Sequence, residues 1–521
     1  ARVILPADVS VQAPPNLSPG QLGRLIEAGI NDWGGVSPVT PDYVNPEAPW
    51  PSLSALRAAT AEQNKHLLAR LTVYPQYLAA PQWLDRDVRR RALEWADAEG
   101  LVRDDAWRAG VSEQPPQPTA LVTQRMDPAV TEALDACLCG EAVDTDGMLA
   151  LFSARGADVE AVCAAADALR QTQVGNVVSY VINRNINYTN VCQYSCRFCA
   201  FSKGGGEVAS GRTAYDLDGM ELYRRVQEAA ALGATELCLQ GGIHPDYTGQ
   251  TYLDIVETVK AASPDIHVHA FSPLEIDQGA KTLGLSLERY LRLLREAGLD
   301  SLPGTAAEGL DEDGRAILCP DKVTSGRWLE IMERAHEVGL FSTATIMFGH
   351  VDSASAWVTH WQRVMGLQTR TGGFTEVVPL PFVSEGAPLY RRGESRPGPT
   401  WREVRLMHAV LRLTVGHLIP NIQASWVKLG RAGALEMLSS GANDLGGVLI
   451  NESITRAAGA AHGQMWQPEA LSQAIVGAGR IPQQRSTRYA PLQTSSIDLH
   501  PTLIRWVGET PAGRVATSKT I

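Results

Sequence analysis

The stretch VVSYVINRNINYTNVCQYSCRFCAF (177–201) decides the fold. It opens on a strand-like run, 177–186, rich in β-branched and aromatic side chains. Three cysteines, Cys192, Cys196 and Cys199, follow it as CxxxCxxC. Downstream, strand-like runs recur at 235–242, 265–272, 301–304, 341–350, 375–382, 421–429 and 441–447. Helical stretches at 214–233, 285–298 and 326–339 separate them, each closing on a glycine as a helix stop. Eight strands alternating with helices predict an α/β fold, a parallel (β/α)8 TIM-type barrel. In such a barrel the active face lies at the C-terminal ends of the strands, where the cysteine loop sits.

Composition is consistent with a folded enzyme. Of 521 residues, 44% are hydrophobic and 20% charged, the balance of an ordinary globular protein. Lys+Arg number 46 against Asp+Glu 57, a net charge of −11, so no global positive field exists to attract nucleic acid or anionic lipid. No apolar run reaches the ~18 residues a membrane span needs, and the first thirty residues lack a signal-peptide pattern. The expectation is a cytoplasmic enzyme with neither nucleic-acid nor membrane partners.

Eight cysteines are too sparse for a disulfide framework. Cys137, Cys139, Cys163, Cys238 and Cys319 are expected as small buried hydrophobes. The three clustered ones have a different logic. A structural zinc site takes four protein ligands, and the next candidates, Cys238 and His244, are distant in sequence. Three thiolates on one short loop fit a 4Fe-4S cluster with one iron left open, with zinc and incidental cysteines as the alternatives.

The chain contains a broken repeat. EAGINDWGGV (27–36) matches SSGANDLGGV (439–448), and upstream Gln12-Ala13 matches Gln423-Ala424 with a one-residue offset. A Pro-rich polar stretch, SEQPPQPTA (112–120), has linker composition. The expected organisation is a C-terminal remnant of a first barrel domain over 1–111, a linker over 112–120, a complete barrel over 121–490 and a tail over 491–521. The opening Ala1, set inside an apolar pattern, reads as the start of a processed or partial chain.

Cys192-Gln-Tyr-Ser-Cys196-Arg-Phe198-Cys199 resembles the signature of the radical S-adenosylmethionine (SAM) enzymes, CxxxCxφC with φ aromatic. The resemblance implies a 4Fe-4S cluster held by the three cysteines, whose open iron chelates S-adenosylmethionine and whose electron cleaves it to a 5′-deoxyadenosyl radical. NYTNVCQYSCRFCAFSKGGGE, LQGGIHPD, HAFSPLEI, GTAAEGL, CPDKVTSGRWLEIM and TATIMFGHV are further similar to the tyrosine-dependent half of the deazaflavin (FO) synthase family over roughly 121–490. NDWGGVSPVTPDYVNPEAPWPS (31–52) resembles the end of that family's ring-closing half, whose own cysteine motif is absent from this chain. The likeness implies transfer of the 4-hydroxybenzyl group of L-tyrosine to 5-amino-6-(D-ribitylamino)uracil, with an electron donor such as flavodoxin or ferredoxin. It also implies that Phe198, Gly241, Gly242 and Glu308 touch the cofactor.

Several residues have a plainer reading beside these. Gly241-Gly242 would serve a simple turn as well as close approach of a ligand. His244 and His350 stand at strand ends, His267 and His269 share one strand face, and each is either a proton carrier or a structural histidine. Glu275 and Asn443-Asp444 lie near the expected mouth. Trp426 and Tyr188 are expected to be packing residues. A futalosine-pathway radical SAM enzyme and, in another class, a zinc-binding module are the competing functions.

Overall fold

The computed structural model describes residues 1–6, 8–37, 39–117, 126–203 and 214–492. GGGE (204–207), the end of the expected linker (118–120) and most of the expected tail (493–521) lie outside the described residues. The described strands are β1 (Val177–Val181), β2 (Asn183–Asn187), β3 (Glu236–Gln240), β4 (His267–Ala270), β5 (Ser301–Leu302), β6 (Phe341–Phe348), β7 (Phe374–Pro381), β8 (Asp444–Gly447) and β9 (Ile481–Gln484).

β2 to β7 form a parallel sheet in chain order, as helix-separated strands require. β1 and β2 are one stave with a break at Ile182: β1 pairs in parallel with β8 and β9, while β2 pairs with β3. Parallel bridges from Val377 to Ile422, from Gln423 to Asp444 and from Arg184 to Ile450 carry the ring from β7 round to β2. The expected strand at 421–429 is therefore only a two-residue bridge. The chain turns at Ser425 into a helix over Trp426–Glu436, and the Trp426 indole N–H bonds the Gly447 carbonyl. Trp426 is fully buried and also borders the interior cavity.

The two-residue period of the strands sorts side chains between barrel interior and helical shell. In β3, Leu237 and Leu239 are fully buried against the shell, while Glu236, Cys238 and Gln240 line an interior cavity. In β2, Asn183 and Asn185 face inward, while Arg184 turns outward to the Arg225 carbonyl and Glu228. Shell helices start on Asp218, Ser286 and Thr324, whose side chains accept the N-terminal N–H groups. They stop at Gly233, Gly298 and Gly339, all at positive φ. β9 and the turn after it close the floor. Arg485 from this segment bonds Asp444 at 2.6 Å and Glu376 at 3.3 Å, and Thr487 bonds Glu236 at 2.6 Å.

Residues 97–111 pack on the barrel. Asp97 pairs with Arg155 and Arg402, the Arg103 guanidinium bonds the carbonyls of Gly398 and Pro399, and Trp107 meets Trp401 at 4.9 Å. Farther toward the N-terminus lie helices Leu53–Glu62 and Arg86–Glu94 and a small core of Leu78, Leu93 and Ala96.

The repeat is written in bonds as well as letters. Gln12 bridges Asp32 in parallel, as Gln423 bridges Asp444. The Asp32 carboxylate accepts Gly34 N–H at 2.6 Å and the Asp444 carboxylate accepts Gly446 N–H at 2.5 Å, both glycines at positive φ. Arg70 Nε bonds Asp32 at 2.7 Å and lies over Tyr74, while Arg485 Nε bonds Asp444 at 2.6 Å and lies over Tyr489. RLTVY (70–74) thus pairs with RSTRY (485–489), a match the sequence reading missed because only three letters are shared.

Candidate active site

A cavity of about 410 Å³ runs from the strand C-termini into the barrel, within the range of small-molecule sites. Cys192, Cys196, Phe198, Cys199, Gly241, Gly242 and Glu308 all line it, so the structure brings together every residue the sequence assigned to the site.

The cysteine loop leaves β2 and is tied down by backbone bonds to distant segments. Cys192 N–H donates to the Lys203 carbonyl, Gln193 N–H to Ile243, Arg197 N–H to Leu318, and Leu389 N–H to Arg197. Arg197 also pairs with Glu394. Two of the sulfurs accept backbone N–H groups, Cys192 from Ile243 at 3.3 Å and Cys199 from Ser202 at 3.4 Å. Such N–H donors tune cluster-bound thiolates, so the donor set fits an iron–sulfur group. Burial pushes the Cys196 thiol up to about 12 and raises Cys199 as well, an ionisation cost that a bound cationic centre offsets. Among the described residues no three His, Cys, Asp or Glu side chains close around a point as they would for a single ion.

Beside the loop sits a buried ion pair. Lys322 Nζ bonds Glu308 at 2.8 Å and stands 5.0 Å over the Phe198 ring. Burial alone would lower Lys322, but the Glu308 carboxylate and the nearby Cys196 and Cys319 sulfurs outweigh it and hold its proton on. Glu308 itself has φ +51°, and Ala306 has φ +62°. Phe271, Leu449 and Asn451, just beyond β4 and β8, also have positive φ. Strain of this kind in non-glycine residues concentrates around the barrel mouth, where functional sites store it.

The two glycines are demanded by packing. A Cβ on Gly241 would stand 2.2 Å from the Tyr188 ring, and one on Gly242 would stand 2.2 Å from the Val191 carbonyl oxygen. Tyr188 in turn donates to Glu275, which also accepts Ser272 N–H and Oγ–H at 2.6 Å each. Burial raises the Glu275 carboxyl although these hydrogen bonds pull the other way. Ser272 and Glu275 form the capping box of the helix Pro273–Leu283, which sets the carboxyl at the cavity wall.

Comparison with known proteins follows this geometry. A model of the Radical SAM superfamily matches residues 186–360, and one of the CofH/MqnC C-terminal region matches 371–497. The 5-amino-6-(D-ribitylamino)uracil--L-tyrosine 4-hydroxyphenyl transferase of Methanopyrus kandleri is 49% identical over 332 residues, 64% of this chain and 89% of that protein. The chain belongs to this transferase family of radical SAM enzymes. FO synthases of Streptomyces coelicolor and Mycobacterium tuberculosis are 43% and 44% identical over 94% of the chain, which spans 62% of their length. Methylornithine synthase shares the fold at TM-score 0.53 and 19% identity, over 67% of this chain and 97% of that one. The hydrogenase maturase HydG does so at 0.53 and 14%, over 68% and 76%.

Within this family member the histidines divide. His269 lines the cavity, and its Nδ1 meets Ser301 Oγ at 2.7 Å, the same oxygen that His267 Nε2 meets at 2.7 Å. His350 has both nitrogens engaged, Nε2 with the Met347 carbonyl and Nδ1 with Val351 N–H, and the Asp352 carboxylate stands 3.4 Å from Nδ1, so the ring is tied into the structure. His244 stacks on Tyr247 outside the cavity lining.

Two cysteine expectations need correction. Cys139 is exposed, and Cys238 faces the cavity because its register places it between inward-facing Glu236 and Gln240. Sequence reasoning also missed Lys322, Glu376 and Arg485. Cys238 and Glu376 were recoverable from the periods of β3 and β7, whereas Lys322 and Arg485 owe their places to carboxylate partners that no local pattern joins to them. No helix among the described residues is long and apolar enough to cross a membrane.

Proposed function

We propose that the chain carries the tyrosine-dependent step of FO biosynthesis, moving the 4-hydroxybenzyl group of L-tyrosine onto 5-amino-6-(D-ribitylamino)uracil. The observation that carries this reading is the 49% identity to a named transferase over 89% of its length, with the three cysteines inside the region that the Radical SAM model matches. Cys192, Cys196 and Cys199 would hold a 4Fe-4S cluster. When bound, that cluster supplies the electron for reductive cleavage of S-adenosylmethionine.

The chain's own residues do the rest. Gly241 and Gly242 keep the β3 end free of side chains next to the cysteine loop, and Phe198 packs the loop against Leu318, Cys319 and Leu389. The Lys322–Glu308 pair places one fixed carboxylate at the mouth, a partner for a ribose hydroxyl or an ammonium group.

An electron donor such as flavodoxin or ferredoxin and a cytoplasmic setting belong to the same proposal. So does the division at 112–120, with 1–111 the end of a ring-closing half. The recurring Gln–Asp–Arg–Tyr bonds support that division.

Anaerobic reconstitution followed by incubation with S-adenosylmethionine, tyrosine and the ribitylaminouracil tests the reading. Expected products are 5′-deoxyadenosine, methionine and a hydroxybenzyl adduct of the uracil, with about four irons bound per chain. Cys196→Ala should abolish iron loading and turnover together. A colourless zinc protein, or turnover with futalosine-pathway substrates in place of tyrosine, would overturn it.

A further inference from the structure

Below the cysteine loop a row of three side chains crosses adjacent strands at one level. Asn185 on β2 is in register with Cys238 on β3, and Cys238 with His269 on β4. All three face the cavity. Asn185 and Cys238 lie two residues before the ends of their strands, so the row sits about 7 Å below the mouth at the rise of an extended chain. Neighbouring strands are about 4.8 Å apart, so the row spans about 10 Å, the width of a six-membered ring with its substituents.

The row is polar and carries no charge. Asn185 is 8% exposed, and its Oδ1 has no hydrogen-bond partner, an unmet acceptor in a buried position. Burial pushes the Cys238 thiol up, which keeps it protonated. Burial holds His269 down at about 4, which keeps the imidazole neutral. The carboxylate of the next layer down, Glu236, is already engaged by Asn183 Nδ2 at 3.0 Å and Thr487 Oγ1 at 2.6 Å.

His269 can serve a ligand as donor or acceptor. The Ser301 hydroxyl has one proton and stands between His267 Nε2 and His269 Nδ1. If it donates to His269, then Nε2 carries the ring proton; if His269 donates to it, Nε2 is an acceptor. Across the cavity Met347, Val378 and Leu380 give an apolar wall against which a flat ring can lie.

We infer that Asn185, Cys238 and His269 form the subsite for a neutral lactam heterocycle. A primary amide opposite a ring N–H/C=O edge satisfies both partners with two hydrogen bonds, and Asn185 has the open acceptor for it. A zwitterionic amino acid would bring a carboxylate to a row without a cation, at a large desolvation cost. The row therefore selects the pyrimidine acceptor and leaves the amino-acid donor to other walls. That the ring is the ribitylaminouracil rests on the transferase reading; that it is an uncharged lactam rests on the row.

Calorimetric titration of the reconstituted full chain with 5-amino-6-(D-ribitylamino)uracil and, separately, with tyrosine tests this. Asn185→Ala and His269→Gln are each expected to weaken uracil binding by about tenfold or more, the loss of one buried hydrogen bond, with tyrosine affinity within about twofold of wild type. Iron content and far-UV circular dichroism verify folding, and either variant alone suffices if the other does not fold. Unchanged uracil affinity in a folded variant, a loss confined to tyrosine, or no uracil binding by the wild-type chain would overturn the subsite. Asn185-dependent binding of the uracil without transfer from tyrosine would support the subsite and refute the transferase reading.

Discussion

Replacing Lys322 by Met removes one half of the buried pair beside the cysteine loop. The charges are 2.8 Å apart with side chains 10% and 15% exposed. At an effective dielectric constant near 20 their attraction is roughly 6 kcal/mol before desolvation is subtracted. Removing one member of such a pair strands the other, at about 3–5 kcal/mol, and residual exposure puts this case at the lower end, about 3 kcal/mol. Lys322→Met and Glu308→Leu should each cost about that much in denaturant unfolding of the iron-free chain. The double variant should cost less than either alone, because nothing charged is left uncompensated. The assay is a double-mutant cycle followed by tryptophan fluorescence and circular dichroism. Additive single losses, or a Lys322→Met loss under about 1 kcal/mol, would show that the pair is screened by solvent and does not position Glu308.

Gly242→Ala forces a Cβ to within 2.2 Å of the Val191 carbonyl, which is backbone and cannot rotate away, so the loop must shift. Loss of iron loading is expected while the circular-dichroism spectrum is kept, and a fully loaded variant would refute the clash. Burial holds His336 down at about 4 and His360 at about 3. Unfolded histidines titrate near 6.5, so this stability is intact above that pH and is lost as pH falls toward 4 and then 3, roughly 3 kcal/mol for His336 alone. Denaturant midpoints flat from pH 7.5 to 4.5 would contradict it. Arg485→Leu leaves the Asp444 and Glu376 carboxylates facing each other at the barrel floor and should destabilise by about 3–5 kcal/mol, measured by chemical unfolding. A loss below about 1 kcal/mol would mean that β9 does not close the barrel.

The barrel was legible because its signals are local. Leu237 and Leu239 alternate with Glu236, Cys238 and Gln240, and the helices stop at Gly233, Gly298 and Gly339, so period and punctuation alone placed most staves. The stave at 421–429 failed for an equally local reason: NIQASWVKL is apolar enough for a strand, but the turn at Ser425 leads straight into a helix packed by Trp426. The three cysteines were readable from spacing because they sit on one loop after one strand. Glu308 was named from its neighbours in the chain, but its partner Lys322 is fourteen residues on, past a helix, and no spacing rule joins them.

The repeated clamp separates what sequence specifies from what packing adds. Asp32–Arg70 and Asp444–Arg485 have the same bonds, yet the first pair's side chains are 9% and 23% exposed and the second's 0% and 4%. Local chain geometry is therefore enough to form the clamp in either place. Its surroundings decide its weight, since a partly solvated pair contributes little and a buried one becomes costly to break. Only the second copy has Glu376 beside it, from β7 of the complete ring, with burial pushing that carboxyl up to about 7. One arginine between two buried carboxylates cannot be read from a motif, because β7, β8 and the turn after β9 must close before they meet. The arrangements hardest to foresee are those that only a finished barrel brings together: the β3 period turns Cys238 inward, but strand register is what sets it level with Asn185 and His269.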